Sequence, residues 1–111
     1  MIYSGDDPTA TQFMLNGGSG TISVTANVVP SIIAEICTQA LSGESKKAIE
    51  LNLEIEQLNE ILFVESNPIP VKWILNRLGR IPGGLRLPLV ELDDKFHNQA
   101  ELILKELSLL N

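Results

Sequence analysis

An adjacent pair of carboxylates is the first feature of this sequence that could do chemistry. Asp6 and Asp7 follow Gly5 and the apolar run at residues 1–3. If that run is a strand of a parallel sheet, the pair lies beyond its carboxyl end, where ligands bind in α/β sheets. The two side chains could then bind a substrate or exchange protons. The alternative is structural, because Gly-Asp-Asp-Pro is also typical of a turn that leads into a helix.

A glycine-rich segment is the second such feature. Residues 17–20 are Gly-Gly-Ser-Gly, a composition similar to that of a loop that holds phosphate. A phosphate loop, however, follows a strand and begins a helix, whose free N–H groups face the anion. This segment follows a predicted helix and begins a predicted strand. We therefore expect a turn there and no phosphate site.

Nucleophiles and metal ligands are few. A Schiff-base lysine needs an apolar environment that lowers its pKa, and no lysine lies on a predicted strand. We expect Lys72, beside Trp73, to be a structural anchor. His97 is the only histidine and Cys37 the only cysteine, so neither a metal site nor a nucleophilic hydrolase is expected. The lysines are Lys46, Lys47, Lys72, Lys95 and Lys105.

The elements that must position these residues begin with a βαβ unit. A strand starts at residues 1–3, a helix covers 9–16 with Asp7 or Thr9 as its cap, and a second strand covers 20–26. The β-branched residues of the second strand are typical of a buried sheet. Two parallel strands alone leave both sheet edges unpaired. We therefore expect these strands to belong to a larger sheet.

The rest of the chain is predicted to be helical. An extended connector at 81–88 contains two prolines and two glycines and precedes the last helix, which Asp93 caps. The predicted helices cover residues 30–41, 44–62, 71–78 and 93–109.

Composition excludes several classes of protein. The 111 residues carry a formal charge of −6, which argues against nucleic-acid and anionic-membrane partners. A single cysteine excludes an intrachain disulfide and fits the reducing cytoplasm. Residues 1–10 lack the basic start of a signal peptide, and no apolar run is long enough to span a membrane.

Four stretches carry a resemblance to a known family. They are YSGDD at 3–7, GGSGTISVTANVVP at 17–30, LFVESNPIPVK at 62–72 and LRLPL at 85–89. In this order and spacing they resemble the dihydrodipicolinate synthases, pyruvate-dependent (β/α)₈-barrel enzymes of bacterial lysine synthesis. Another pyruvate-dependent aldolase of the same superfamily is the alternative. Sialic acid lyases share the barrel but differ in these motifs.

The resemblance implies an α/β fold, the C-terminal βαβα piece of a TIM (β/α)₈ barrel followed by an appended α-helical domain. Residues 1–43 would be the last two β/α units, with strands seven and eight, and 44–111 the helical domain. The Schiff-base lysine of strand six and the proton-moving tyrosine of strand five would lie upstream. Tyr3 does not match the catalytic tyrosine, so no catalytic residue is expected here.

A few site residues carry over by the resemblance. Ile22 matches the strand-eight residue that contacts bound pyruvate. Gly5 and Asp6 match the rim of strand seven near the second substrate, L-aspartate semialdehyde. The full enzyme would be a cytoplasmic lyase of diaminopimelate and lysine biosynthesis, commonly a homotetramer, that uses a Schiff base and no cofactor or metal.

Three hypotheses for the function of this chain follow. It is an inactive C-terminal fragment that lacks the N-terminal barrel portion, or one half of a split enzyme. The third hypothesis is a non-catalytic helical interaction module, which needs an exposed apolar stripe. In the fragment, unpaired strand edges and the side chains of Ile22 and Val24 should promote aggregation or oligomerisation. The stripe consists of Leu51, Ile55, Leu58 and Leu62.

Overall fold

The computed structural model describes residues 1–111 and begins with two short parallel strands. Strand β1 is Tyr3–Ser4 and strand β2 is Gly20–Thr21, with Tyr3 opposite Gly20 in the register. Helix α1, Asp7–Leu15, connects them. The predicted strand–helix–strand order and the parallel pairing are confirmed.

Strand β2 is shorter than the predicted strand over 20–26. Val24 has helical backbone angles, φ −71° and ψ −43°, and a 3₁₀ helix follows at Thr25–Asn27. The cause is a long-range contact, because the carboxylate of Asp7 accepts hydrogen bonds from the N–H groups of Val24 and Thr25. These bonds fix a turn where an extended strand would continue.

The predicted caps of helix α1 are wrong. Its N-cap is Asp6, whose side chain accepts no capping bond from the helix backbone. Asp7 lies inside the first turn and binds residues 23–25, which follow β2, while the Thr9 hydroxyl donates to Asp6 Oδ2 at 2.5 Å. The predicted end of the helix is confirmed, because Gly17 follows it with φ +105°, a conformation that L side chains rarely adopt.

The remaining helices follow the predicted order with two changes. The helix predicted over 44–62 is interrupted at Ile55, which has φ −111° and ψ 10°. The last helix ends earlier than predicted, because Ser108 takes a positive φ of 60° and Leu109 N donates to Leu104 O at 2.8 Å. The helices are α2 (Pro30–Leu41), α3 (Ser45–Glu54), α4 (Glu56–Ile61), α5 (Ile69–Arg77) and α6 (His97–Glu106), the last preceded by a 3₁₀ helix (Asp94–Phe96).

Two of these helices begin where a residue type that favours a helix start is present. Helix α5 begins two residues before the predicted Val71, with Pro70 in its first turn, where a backbone N–H has no partner to lose. Asp93 caps the 3₁₀ helix before α6 as predicted, by accepting a 3.0 Å hydrogen bond from Lys95 N. The predicted connector before it has no helix or strand.

The helices enclose an apolar core. Ile55, Leu58 and Leu62 are at most 1% exposed and lie in one cluster with Ile36 and Ala100. These are members of the stripe that the interaction module needs on the surface. The hypothesis that this stripe pairs with a partner helix is therefore wrong.

A pair of stacked aromatic rings packs α6 against α5. The rings of Trp73 and His97 stack with centroids 4.4 Å apart, and His97 Nε2 lies 2.9 Å from the carbonyl oxygen of Leu92. His97 is thus a packing residue that also holds the connector. No group of three or more His, Cys, Asp or Glu side chains in the chain could hold a metal ion.

Candidate site at the carboxyl ends of the strands

The carboxyl ends of β1 and β2 lie side by side. Ile22 N donates to Ser4 O at 2.8 Å, and the Thr21 hydroxyl donates to the same carbonyl at 3.3 Å. Gly5 and Ile22, the first residues past the two strands, are therefore neighbours. Both are exposed, and Ile22 keeps 77% of its surface in contact with solvent.

One face of this small sheet is uncovered and partly apolar. Ser4 is buried, whereas the Tyr3 ring lies over Gly20 and stays half-exposed. A Cβ on Gly20 would approach that ring to 3.0 Å, so a glycine suits this position. Alternation along the strand places Gly20 and Ile22 on the same side. Tyr3 and Ile22 thus present apolar surface on a face without a second layer.

Gly5 and Asp6 form an open rim beside that face. A Cβ added to Gly5 would meet nothing within 4 Å. Asp6 is exposed, its N–H donates to Ser4 Oγ at 3.1 Å, and its carboxylate accepts from Thr9. The backbone of the rim is therefore fixed, while one carboxylate remains accessible to a ligand.

The second carboxylate of the pair, that of Asp7, differs from Asp6 in its burial and its hydrogen-bond partners. Asp7 is 5% exposed, and its Oδ2 accepts from Val24 N at 2.9 Å and from Thr25 N at 3.1 Å. Its Oδ1 accepts from the hydroxyl of Ser23. Both oxygens are occupied, so Asp7 has a structural role, but it is a contact to residues 23–25 and not the predicted cap of its own helix. The pair does not act as two neighbouring acids, because one side chain is exposed and the other buried.

Two polar side-chain pairs connect α1 and the first 3₁₀ helix to α3 and α4, and sequence reasoning missed them. The Thr25 hydroxyl donates to Asn59 Oδ1 at 2.6 Å, and both residues are at most 3% exposed. The Thr11 hydroxyl donates to Asn52 Oδ1 at 3.0 Å. A signal was present for Asn59, since it follows Leu58 on a buried helix face, where a polar side chain needs a partner.

No lysine lies on a strand or in the loops that follow the strands. Lys46 and Lys47 lie on α3, Lys95 in the second 3₁₀ helix and Lys105 on α6. Lys72 on α5 is half-buried and makes no ion pair, so the structure adds no anchoring contact for its ammonium group.

The thiol of Cys37 is also poorly placed for chemistry. It is free and partly buried on α2, and burial raises the pKa of this thiol by disfavouring the thiolate. The strand ends can therefore contribute a binding surface, but they hold neither an amine nor a thiolate nucleophile.

None of the helices has the length and apolar character needed to span a membrane.

Comparison with known proteins decides the family. Residues 1–107 match the sequence model described as the Dihydrodipicolinate synthetase family. The chain belongs to this family. A 4-hydroxy-tetrahydrodipicolinate synthase of Laribacter hongkongensis is 50% identical over 109 residues, which are 98% of this chain and 38% of that protein. The resemblance drawn from the four motifs is confirmed.

Solved structures agree with the dihydrodipicolinate synthetase family. The chloride-inhibited dihydrodipicolinate synthase of Acinetobacter baumannii, complexed with pyruvate, aligns with a TM-score of 0.95 at 45% identity. The match covers 98% of this chain and 38% of that one. A structure described as the first monomeric dihydrodipicolinate synthase variant aligns with a TM-score of 0.94 at 42% identity and covers 99% and 37% of the two chains.

The match to the dihydrodipicolinate synthetase family covers part of each relative. This chain spans 38% of the length of the curated relative from Laribacter hongkongensis. The structural neighbours are TIM-barrel enzymes, and this chain is α-rich with one small parallel sheet.

Proposed function

We propose that this chain forms one wall of the active site of a 4-hydroxy-tetrahydrodipicolinate synthase. Residues 1–43 are then the last two β/α units of a TIM barrel, and residues 44–111 are a helical domain appended to it. The observation that carries the proposal is the exposed, adjacent pair of strand ends, in a chain 50% identical to such an enzyme. In TIM barrels the active site lies at that end of the strands.

The sheet has free strand edges and one uncovered face, and both features support the barrel assignment. Each strand has two residues and one neighbour, and Ile22 and half of Tyr3 are uncovered. A parallel sheet is normally covered on both faces, and a closed barrel has no free edges. Further strands would pair with β1 and β2 and cover this face. They would come from the part of the relatives' length that this chain does not match.

The site residues take their roles from this placement. Ile22 contacts bound pyruvate, and Gly5 and Asp6 line the rim near the second substrate, L-aspartate semialdehyde. The amine of a lysine condenses with the keto carbon of pyruvate to form a Schiff base, and the keto oxygen leaves as water. The loss of a methyl proton converts that Schiff base into an enamine, which attacks the aldehyde carbon.

The chain alone is then an inactive part of a lyase of lysine biosynthesis. The five lysines support this, because none lies on a strand or in the loops after the strands. The complete enzyme is cytoplasmic and homotetrameric in this proposal. Sedimentation of the completed enzyme tests the tetramer, and a stable monomer would contradict it.

A chimera tests the proposal directly. The segment of the Laribacter hongkongensis enzyme that aligns with this chain is replaced by this chain, and condensation of pyruvate with L-aspartate semialdehyde is measured. We expect an active chimera in which Ile22→Ser raises the KM for pyruvate. Leu102→Ser is the matched control, because Leu102 is also exposed but lies on α6. A folded but inactive chimera would overturn the proposal.

Borohydride trapping tests the division of roles. We expect no pyruvyl adduct when the isolated chain is incubated with pyruvate and reduced, and one adduct on an upstream lysine in the chimera. Mass spectrometry of the peptides locates the adduct. A stable adduct on any of the five lysines of this chain would contradict the proposal that the nucleophile lies elsewhere.

A further inference from the structure

We infer that Asp7 is a positioning residue, which holds the loop after β2 in the conformation that presents Ile22 to the substrate. The substrate part of this inference rests on the proposed function, whereas the conformational part concerns this chain alone. Asp7 itself does not reach a ligand, since it is 5% exposed and both carboxylate oxygens are occupied.

The contacts of Asp7 converge on the three residues after Ile22. Oδ1 accepts from the hydroxyl of Ser23, and Oδ2 accepts from the N–H groups of Val24 and Thr25. The Ser23 oxygen in turn accepts from Ala26 N at 3.0 Å. One carboxylate on α1 thus fixes every residue from 23 to 26, either directly or through the Ser23 hydroxyl.

Electrostatics makes the carboxylate the right group for this task. The N–H groups of Val24 and Thr25 point outward from the start of the 3₁₀ helix and have no partner within it, as at any helix start. Without Asp7 these partly buried N–H groups lose a charged acceptor, and loss of such a bond is more costly than loss of a neutral one.

The consequence for a ligand follows from the spacing along the chain. Ile22 lies next to the fixed segment, and its own N–H is held by Ser4 O on β1. Its position is therefore set from one side by the strand and from the other by Asp7. A displacement of about 1 Å at a binding residue is enough to weaken catalysis strongly. Asp7 thus influences the affinity for the keto acid through Ile22.

Amide hydrogen exchange on the full 111-residue chain tests the conformational part. In Asp7→Asn we expect the amides of Val24 and Thr25 to exchange about tenfold faster, because a charged hydrogen-bond acceptor is lost. Asp93→Asn is the matched control, since Asp93 also accepts a bond from a helix-start N–H but lies far along the chain. It should leave the exchange of Val24 and Thr25 unchanged.

Ser23 supplies a milder pair of variants, in case Asp7→Asn does not fold. Ser23→Ala removes one of the three bonds and should speed exchange at Ala26 and Val24 by a smaller factor. Ser23→Thr keeps the hydroxyl and should restore slow exchange. Unchanged exchange in Asp7→Asn, or in Ser23→Ala where the first variant is unfolded, would overturn the inference.

The chimera tests the substrate part. Asp7→Asn should raise the KM for pyruvate about tenfold while kcat stays within about threefold, because the variant disturbs a binding residue and no reacting group. An unchanged KM in an active chimera overturns the positioning role. If the unmodified chimera is folded but inactive, the proposed function fails, and hydrogen exchange alone decides whether Asp7 holds the loop.

Discussion

The strand-end region, residues 1–29, and the helical region, residues 30–111, are held by different forces. Four of the five buried polar side chains, Ser4, Asp7, Thr11 and Thr25, belong to the strand-end region. Most of the buried apolar side chains belong to the helical region, where the central ones have no exposed surface at all. Directional hydrogen bonds shape the first region, and apolar burial shapes the second.

The two regions also differ in how far their apolar side chains are covered. The apolar stripe of the helical region is covered within the chain, as the burial of Leu58 and Leu62 shows, and Met14 and Val28 of the strand-end region belong to the same core cluster. The strand-end region fixes its backbone with Asp7 but leaves Ile22 and part of Tyr3 uncovered. Hydrogen bonds can set the shape of a surface without covering it. The strand-end region therefore exposes a partly apolar surface on a backbone that is fixed by hydrogen bonds.

The largest effect should come from the core of the helical region. Leu58→Ala removes a side chain with 0% exposure and should lower the free energy of unfolding by about 2–5 kcal/mol. Urea unfolding followed by Trp73 fluorescence measures it. Leu53→Ala, on an α3 side chain that is 60% exposed, is the control and should change the free energy by less than about 0.5 kcal/mol. Equal losses in both variants would contradict the claim that apolar burial holds the helical region together.

The next largest effect should come from a buried hydrogen bond between the two regions. Asn59→Leu removes the acceptor of the Thr25 hydroxyl and leaves that group buried without a partner, at a cost of about 1–3 kcal/mol. In the double variant with Thr25→Val, part of this loss should be recovered, with a coupling energy of about 1 kcal/mol. Urea unfolding of all four proteins measures the coupling. Strictly additive losses would mean that this bond does not couple the two regions.

Ile22 should affect association more than folding. Because this side chain is 77% exposed, Ile22→Ser should change the free energy of unfolding by less than about 0.5 kcal/mol. The isolated chain should associate as its concentration rises, through the uncovered face of the sheet, and Ile22→Ser should weaken that association. Sedimentation velocity measures the association of the wild-type chain and of the Ile22→Ser variant, with Leu102→Ser as the control. A wild-type chain that stays monomeric at all concentrations would contradict the expectation.

Local signals made the helix ends predictable. Gly17, Gly43 and Gly79 follow three predicted helices, and all three have positive φ angles, +105°, +84° and +74°. The cap at Asp93 is equally local. The error in the length of β2 has a distant cause, because Asp7 binds the N–H of Val24 from 17 positions away.

The candidate site also has features that the sequence predicts and features that it does not. The neighbouring positions of Gly5, Asp6 and Ile22 follow from parallel pairing, which the sequence predicted. Their ligands do not follow from it, because they came from the resemblance and remain proposals. The role of Asp7 could not be predicted, since the sequence Gly-Asp-Asp-Pro is equally compatible with an active carboxylate pair, a capping turn and a buried carboxylate that binds a distant loop.

The smallest effect should come from the surface pair that links α5 and α6. Arg77 Nε donates to Glu101 Oε1 at 2.9 Å, and this bond lowers the pKa of the Glu101 carboxyl. A carboxyl whose pKa is lower in the folded state stabilises the fold above its unfolded pKa, and that contribution disappears as the pH falls through the folded pKa.

Arg77→Gln should therefore lower the melting temperature slightly at pH 7 and not at all in acid, well below the usual pKa of glutamate. Both groups are exposed to solvent, so salt should also erase the difference. Thermal unfolding at the two pH values and at low and high salt measures it, with Arg86→Gln as a control, because Arg86 makes no ion pair. A loss that persists in acid would mean that Arg77 stabilises the helical region by packing its aliphatic stem and not by its charge. The helical region would then rest on apolar burial even at its surface, and its contrast with the strand-end region would be sharper.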